Sequence, residues 1–169
     1  MRAVLLLSGG LDSTVLLYML LQENINAYPL FIDYGQKSLK EELKVVNDIS
    51  KMLGLKPKII KIENLEVYNS SRLAEYYYPF RNLLLVSIAS IYAYKIGADA
   101  IFLGLSLSYI NEAVFPDANR AFLEKLNVVL DHYRHNIKVY APLIDLDKAT
   151  IVRIGNELNV PFTINLLLL

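Results

Sequence analysis

The 169-residue chain contains no cysteine. This excludes disulfides, a zinc site built from cysteines and a catalytic thiol. The net charge is zero, because 17 acidic residues balance 17 Lys and Arg, so overall charge does not predict nucleic-acid binding. No apolar run reaches the roughly 18 residues that span a bilayer. We expect a cytoplasmic protein without a signal peptide, because Met1 and Arg2 lead directly into an apolar strand.

The apolar fraction is high, at 54%. A chain of this length suggests one domain, residues 1–169, with a large buried core. Apolar content beyond the needs of such a core fits a sheet covered on both faces, with an oligomer interface in addition. We therefore expect a homodimer that binds neither a membrane nor nucleic acid.

Apolar strands alternate with helices along the chain. The pattern predicts strands over residues 3–7, 27–32, 57–62, 100–103 and 137–140. It predicts helices over residues 13–23, 40–53, 82–96, 121–130 and 148–158, of which the third is expected to be a buried helix. This order is typical of an α/β fold with a doubly wound, five-stranded parallel sheet.

The first strand leads into a loop of the sequence Ser8-Gly9-Gly10-Leu11-Asp12-Ser13-Thr14. A helix that begins there offers unpaired N–H groups and the positive end of its dipole to an anion. The glycines remove side-chain carbons that would keep a ligand away from the backbone, and three hydroxyls add donors. The loop is not a Walker A motif, because no Lys follows Gly10. We interpret it as a phosphate site.

Asp12 is the exception in this loop, because a carboxylate repels phosphate. Two interpretations remain open: Asp12 caps the helix, or it faces a Mg²⁺ that accompanies the phosphates.

Other polar residues follow the strands at the edge of the sheet where open α/β folds bind ligands. Asp33-Tyr34-Gly35-Gln36 ends the second strand, although alone it would be interpreted as a polar turn. Gly104 follows the fourth strand, where close approach of the backbone to a ligand would be useful. Arg81 and Lys148 stand at helix starts, where cations are unfavourable unless an anion binds. Asp147 is a plausible N-cap for the last helix.

Three features remain open. The cluster Tyr76-Tyr77-Tyr78 could stack on a flat base or form a partly buried lid. His132 and His135 are more typical of a solvated turn than of a metal site, because no third ligand stands near. The four leucines at residues 166–169 suggest a buried interface or a truncated chain.

The chain resembles the 7-cyano-7-deazaguanine synthase family of PP-loop ATP pyrophosphatases, over about residues 3–162. The resemblance lies in five motifs, in this order: Leu7 to Thr14, Asp33-Tyr34-Gly35-Gln36, Pro79-Phe80-Arg81-Asn82, Phe115-Pro116-Asp117, and Pro142-Leu143-Ile144 with Lys148. The first motif alone indicates the superfamily, and the second and third make the resemblance more specific.

The resemblance implies an ATP-dependent ligase. Such an enzyme converts 7-carboxy-7-deazaguanine and ammonia into 7-cyano-7-deazaguanine (preQ0), for queuosine and archaeosine biosynthesis, and releases AMP and pyrophosphate. It also implies ATP and Mg²⁺ as cofactors and the following site residues. ATP and Mg²⁺ would contact Leu7, Ser8, Gly9, Gly10, Leu11, Asp12, Ser13, Thr14, Phe31 and Gly104, with Leu7 and Phe31 beside the adenine. The deazaguanine would contact Tyr34, Gln36, Arg81, Asn82 and Asp117, and Asp12, Arg81 and Lys148 would be catalytic.

The sequence departs from the family pattern in two places. The family carries a four-cysteine zinc site near its C-terminus, and this chain has none. The family's Tyr-Pro-Asp-Cys-Arg is here Phe115-Pro116-Asp117-Ala118-Asn119, so a cation that could face the substrate is missing. Two alternatives therefore stay open: another ammonia-using PP-loop ligase with a different acceptor, or an inactive nucleotide-binding module.

Overall fold

The computed structural model describes residues 1–63, 65, 78–107, 116–133 and 135–162. Five strands and five helices alternate within these ranges, as the sequence pattern predicts. They are β1 (Arg2–Leu6), α1 (Leu11–Gln22), β2 (Asn26–Asp33), α2 (Leu39–Met52), β3 (Lys58–Lys61), α3 (Arg81–Ile96), β4 (Ala100–Phe102), α4 (Arg120–His132), β5 (Lys138–Tyr140) and α5 (Lys148–Glu157). Each boundary lies within two residues of its prediction.

The five strands form one sheet in the order β3-β2-β1-β4-β5. Every neighbouring pair is parallel. The chain adds strands to one side of β1 and then crosses to the other side, so the sheet is doubly wound and the predicted fold class is confirmed. The direction changes between β1 and β4, and the loop after β1 therefore lies at the switch point where such sheets bind ligands.

Helices cover both faces of the sheet, because successive side chains of a strand point to opposite faces. Ala3, Leu5 and Leu7 pack in one core with helices α1, α2 and α5. Val4 lies in the second core with α3 and α4. A sheet covered in this way buries both faces of β1, which is why that strand is a continuous apolar run.

Two glycines end helices as their positions suggest. Gly54 follows the C-cap of α2 with φ +65°, and its N–H donates to Lys51. Gly97 ends α3 with φ +66°. A left-handed residue at a helix end lets the backbone turn back onto the last carbonyls.

The prediction that α3 is a buried helix holds for only one side of the helix in the single chain. Val86, Ala89 and Ala93 face the core, but the opposite side of the helix is open, with Ile91 72% and Tyr94 63% exposed. A helix that is apolar all round normally packs on all sides, so the open face of α3 is unusual for a single chain. No helix in the described ranges is long and apolar enough to cross a bilayer.

Candidate active site

The glycine loop is shaped by its contacts with neighbouring helices. Gly9 has φ +77°, and a Cβ there would lie 2.9 Å from the carbonyl oxygen of Glu42 and 3.1 Å from the Cβ of Val45. We expected the space beside this glycine to be open to a ligand, but α2 occupies it. Gly9 is therefore required both by its backbone conformation and by the close packing of the loop against α2.

The same correction applies to Gly104. A Cβ at this position would lie 2.7 Å from the backbone nitrogen of Ser13 and 2.9 Å from its Cα. Gly104 allows the chain leaving β4 to approach the first turn of α1 rather than leaving space for a ligand at its own Cα. The two glycines thus hold the loop between α2 and the segment after β4.

The loop hydroxyls differ in what they can reach. The Ser13 hydroxyl accepts from the Ser8 N–H at 3.2 Å and donates to the Gly10 carbonyl at 3.2 Å, so it stabilises the loop itself. Thr14 is fully buried, and its hydroxyl has no hydrogen-bond partner. Ser8 is exposed. The Ser8 hydroxyl also lies 3.2 Å from the Ser13 hydroxyl and accepts from the Gly10 N–H at 3.4 Å, so it is the most accessible of the three but takes part in the loop as well.

Gly10, and not Asp12, is the N-cap of α1. Gly10 has an extended backbone, and no side chain caps this helix. The interpretation of Asp12 as a cap is therefore wrong, since Asp12 lies inside the first turn. An uncapped first turn leaves N–H groups for an incoming anion, and this end of α1 fits a phosphate group.

The Asp12 carboxylate lies between two partners from distant parts of the chain. The Nζ of Lys148 lies 2.8 Å from both carboxylate oxygens, and the Ser106 hydroxyl donates to Oδ2 at 2.6 Å. The Asp12 side chain is 13% exposed. Lys148 was expected to contact phosphate because it begins a helix, and in this structure its ammonium pairs with the Asp12 carboxylate. Asp147, directly before it, caps α5 as predicted, accepting from Thr150 N–H at 2.7 Å.

The turn after β2 is held by the side chain of Gln36. Its amide nitrogen donates to the Ile32 carbonyl at 3.2 Å and to Glu42 at 2.8 Å, and its amide oxygen accepts from Tyr34 N–H at 3.0 Å. Ser38 adds a second donor to Glu42 at 2.6 Å. Both N–H groups of the Gln36 amide are thus used inside the protein. Gln36, expected to bind substrate, shapes the turn that presents Tyr34.

Tyr34 links this turn to the start of α3. The Arg81 guanidinium hydrogen-bonds to the Tyr34 hydroxyl, and burial raises the pKa of Tyr34 above its usual value of 10.0 more than Arg81 lowers it. The Tyr34 ring also stacks on Tyr78, with ring centres 6.0 Å apart. Tyr34 and Arg81 therefore form one polar cluster at the ligand edge of the sheet. Tyr76 and Tyr77 lie outside the described residues.

Asn82 and Asp117 form a buried pair beside this cluster. The Asp117 carboxylate accepts from the backbone N–H of Asn82 at 3.0 Å, and the Asn82 amide donates to the Asp117 carbonyl at 2.7 Å. Asp117 thus supplies a negative charge at the beginning of α3, where it is favourable. We expected an external anion there, but a carboxylate of the chain itself lies at this end of the helix.

Asn119 stands where the family carries an arginine, and it has a structural role in this chain. The Asn119 side chain caps α4 by accepting from Phe122 N–H at 2.8 Å. The next residue, Arg120, forms an ion pair with Asp145. Arg120 and Asp145 line a cavity of about 370 Å³ at the carboxyl end of β5. Phe115 lies outside the described residues.

Leu7 and Phe31, expected to border the adenine, are both buried in the core on the α1 side of the sheet. Both side chains therefore belong to the hydrophobic core next to the site.

Two residues of the site were missed from the sequence. Ser106 lies in a segment that we interpreted as irregular, and Glu42 lies on an amphipathic helix where an acidic residue predicts a solvated face. A weak signal existed for Glu42, because its position falls on the buried side of α2 beside Val45 and Val46. No sequence pattern pointed to Ser106.

The fold and the loop define a class. The chain shares its fold with solved structures: it matches the U34-tRNA thiolase NcsA from Methanococcus maripaludis with a TM-score of 0.62 and 17% identity, covering 95% of this chain and 58% of that one. It matches the NH3-dependent NAD synthetase from Campylobacter jejuni with a TM-score of 0.57 and 20% identity, covering 96% and 66%. With the glycine loop at the switch point, the chain has the PP-loop ATP pyrophosphatase type of doubly wound α/β fold.

The particular family follows from sequence comparison. The family model described as Queuosine biosynthesis protein QueC matches residues 2–166. The 7-cyano-7-deazaguanine synthase of Archaeoglobus fulgidus is 36% identical over 180 residues, covering 96% of this chain and 74% of the relative. The 7-cyano-7-deazaguanine synthase 1 of Desulfitobacterium hafniense is 33% identical over 177 residues, covering 95% and 78%. The chain belongs to the QueC family of 7-cyano-7-deazaguanine synthases.

Proposed function

We propose that this protein converts 7-carboxy-7-deazaguanine, ATP and ammonia into preQ0 through an adenylated carboxylate. The observation that carries the proposal is the family match over residues 2–166, on a fold whose glycine loop and Lys148 meet at the switch point. A carboxylate oxygen attacks the α-phosphorus of ATP, and pyrophosphate leaves. Ammonia then displaces AMP to give the amide. A second adenylation of the amide oxygen, followed by loss of AMP and protons, gives the nitrile.

The residues of the loop suit the first of these steps. Negative charge accumulates on the departing pyrophosphate, and preorganised donors at the site of that charge lower the barrier. The first turn of α1 has no side-chain cap, and Lys148 brings a cation to the same turn through Asp12. The exposed Ser8 hydroxyl would add a third donor by exchanging its contact with the Ser13 hydroxyl for phosphate. These groups would hold the pyrophosphate during its departure.

Asp12 is the residue that would hold Mg²⁺. The carboxylate is mostly shielded from solvent and stands beside the phosphate-binding turn, and hard oxygen ligands of this kind suit magnesium. When bound, Mg²⁺ would neutralise phosphate charge and help to polarise the phosphoryl group.

Tyr34, Arg81, Asn82 and Asp117 would line the deazaguanine site. Tyr34 and Arg81 are already linked by a hydrogen bond, and the Asn82–Asp117 pair fixes the helix start beside them. Arg81 could then bind the substrate carboxylate, because a guanidinium matches the two carboxylate oxygens.

The decisive experiment supplies the protein with 7-carboxy-7-deazaguanine, ammonium and Mg-ATP. We expect preQ0 by mass spectrometry, with AMP and pyrophosphate released only when the acceptor is present. ADP in place of AMP would contradict the proposal. Asp12→Asn keeps the size of the side chain and an oxygen that can accept from Ser106, but removes the negative charge. If Asp12 holds magnesium, this variant should lose the pyrophosphate release that depends on the carboxylate substrate. Full activity in this variant would refute the metal role.

A second candidate has support from one position. Asn119 stands where the family has an arginine, and its side chain is used to cap α4. An enzyme of the same mechanism with a different acceptor would account for this change, and so would an inactive nucleotide-binding module. A screen of carboxylate acceptors for pyrophosphate release separates these cases, because the inactive module would bind ATP without releasing pyrophosphate with any of them.

We also propose that the protein is a homodimer through α3. Residues 82–94 contain no charged side chain, and Leu83, Ile91 and Tyr94 are exposed on one side of the helix. An uncharged face is complementary to its own copy, as a twofold interface requires. Sedimentation should show a dimer that Ile91→Lys dissociates. Val128→Lys, at an equally exposed position on α4, serves as the control and should leave the dimer intact.

A further inference from the structure

The segment that follows β4 is fixed to both sides of the nucleotide loop. Gly104 packs against the backbone of Ser13 in the first turn of α1. Three residues later, the Leu107 N–H donates to the Leu146 carbonyl at 3.0 Å, just before the helix that carries Lys148. Ser106 stands between these two anchors. Its backbone is therefore held in place from both directions, and its side chain is directed by the fold.

The Ser106 hydroxyl is partly buried and donates to Oδ2 of Asp12 at 2.6 Å. Hydrogen bonds from a hydroxyl to a carboxylate of this length belong to the stronger, charge-assisted kind. Lys148 contacts both oxygens equally, at 2.8 Å, and so does not distinguish them. Ser106 does distinguish them, because it bonds Oδ2 alone. Rotation of the carboxylate about its Cβ–Cγ bond would break this bond.

We propose that Ser106 is a positioning residue for the magnesium-nucleotide complex, acting through Asp12. This inference rests on the proposed function, in which Asp12 holds Mg²⁺. By holding Oδ2, the hydroxyl keeps the carboxylate in one orientation, so that Oδ1 remains the oxygen available when Lys148 exchanges its contact for phosphate. Residues that orient a metal ligand in this way typically change metal affinity or activity by about 10- to 100-fold when they are removed.

The test measures nucleotide binding without turnover. The affinity of a non-cleavable α,β-methylene analogue of ATP is measured by calorimetry, with Mg²⁺ and with EDTA. In the unaltered protein, Mg²⁺ should increase the affinity. In Ser106→Ala, this magnesium-dependent gain should fall by about tenfold, while the affinity in EDTA stays unchanged. Ser106→Thr keeps a hydroxyl at the same position and should restore the gain.

Ser87→Ala is the matched control. Its hydroxyl donates to the Leu83 carbonyl at 2.8 Å on the exposed side of α3, away from the loop, so its removal should change neither affinity. Because this side is the proposed dimer face, sedimentation first verifies that the variant assembles as the unaltered protein does. If Ser106→Ala does not fold, the comparison is made between Ser106→Thr and Ser106→Val, which have nearly the same shape and differ by the hydroxyl.

Each outcome decides the question. Loss of affinity by Ser106→Ala that is equal with and without Mg²⁺ would overturn the proposal, since the hydroxyl would then support the loop rather than the metal ligand. An unchanged magnesium-dependent gain would overturn it as well. If the unaltered protein shows no magnesium-dependent gain, the metal role of Asp12 fails and this inference fails with it. A protein that binds Mg-nucleotide as described but makes no preQ0 would refute the acceptor alone and leave the role of Ser106 intact.

Discussion

Asp12 and Lys148 are 136 positions apart in the chain, yet the Lys148 ammonium lies 2.8 Å from each oxygen of the Asp12 carboxylate. The pair joins the beginning of α1 to the beginning of α5. It lets an acidic residue stay in a turn that is built to attract anions, because the cation neutralises the carboxylate while no metal or nucleotide is bound.

Replacing Lys148 with alanine should remove both the cation for pyrophosphate and the partner of Asp12. We expect acceptor-dependent pyrophosphate release to fall by about 10²- to 10³-fold, as for the loss of one preorganised donor to developing charge. We also expect a loss of about 1 to 3 kcal/mol in the free energy of unfolding, because a shielded carboxylate loses its counter-ion. Pyrophosphate assays and urea titration measure the two effects.

Lys44→Ala is the control for charge removal. Lys44 pairs with Asp48 at 3.3 Å on the exposed face of α2, and such surface pairs contribute about 0.5 kcal/mol or less. We expect normal activity in this variant. If Lys44→Ala and Lys148→Ala lowered activity equally, the specific role of Lys148 would be lost.

Gly104→Ala should destabilise the protein and weaken nucleotide binding together. The new Cβ would meet the backbone of Ser13 at 2.7 Å, and backbone in the first turn of a helix cannot move aside without shifting the helix. Overpacking of this kind costs about 1 to 3 kcal/mol. Urea titration and ATP affinity are the measurements.

Gly155→Ala provides the comparison for this prediction. A Cβ there would lie 2.5 Å from Cζ of Phe162 and 3.0 Å from Cγ2 of Val15, both of which are side-chain atoms rather than backbone. Alanine is also favoured over glycine inside a helix by about 1 kcal/mol. We expect a smaller loss than at position 104. A larger loss at position 155 would show that the Gly104 contact is not the tighter constraint.

Gln36 and Glu42 should be energetically coupled. Each is buried or half-buried, and the Gln36 amide donates to the Glu42 carboxylate at 2.8 Å. Removing either partner leaves a polar group without its bond, whereas removing both does not add the penalties. A double-mutant cycle of Gln36→Ala and Glu42→Ala should give a coupling of about 1 to 2 kcal/mol in unfolding free energy. Additive losses would mean that the contact contributes nothing to the turn after β2.

The stability of the protein should decrease at alkaline pH, in part because of Tyr34. Burial raises the pKa of Tyr34 in the folded state above 10.0, so the folded protein favours the neutral phenol. This contribution is fully present below the unfolded-state pKa and is lost as the pH rises through the folded-state pKa. The urea midpoint should therefore fall above about pH 10.

Tyr34→Phe cannot ionise and should show a smaller decrease in the urea midpoint over the same range. The decrease should not vanish, because burial also raises the pKa of Tyr18. An alkaline decrease of the same size in both proteins would contradict the contribution of Tyr34.

The sequence was sufficient for the elements and for the location of the site. The alternation of apolar strands with helices predicted all ten elements, because hydrophobic periodicity is a local signal. The sequence also predicted that the loop at residues 8–14 and the ends of β2 and β4 lie at one edge of the sheet, since parallel strands end on the same side. The Asp147 and Gly54 positions at helix ends were also predictable, because capping chemistry depends on neighbouring residues.

The predictions that failed were those of residue roles that depend on contacts with residues distant in the chain. Gly9 and Gly104 were correctly seen as positions without room for a side chain, but the obstacle is the chain itself and not a ligand. Asp12 was one candidate for the N-cap of α1, but Gly10 is the residue at that position. The apolar length of α3 predicted burial, although the single chain covers only one side of it.

By itself, the sequence determined the fold class and the family, since both reside in short motifs and in their order along the chain. The tertiary structure alone decided which partner each polar side chain has: Lys148 with Asp12, Ser106 with the same carboxylate, Gln36 with Glu42. These pairs are separated by up to 136 positions, and no local pattern encodes them. The two contacts of Asp12 arise only when the β-strands align and bring distant loops within hydrogen-bonding distance, whereas Gln36 and Glu42 are six positions apart and meet across the turn between β2 and α2.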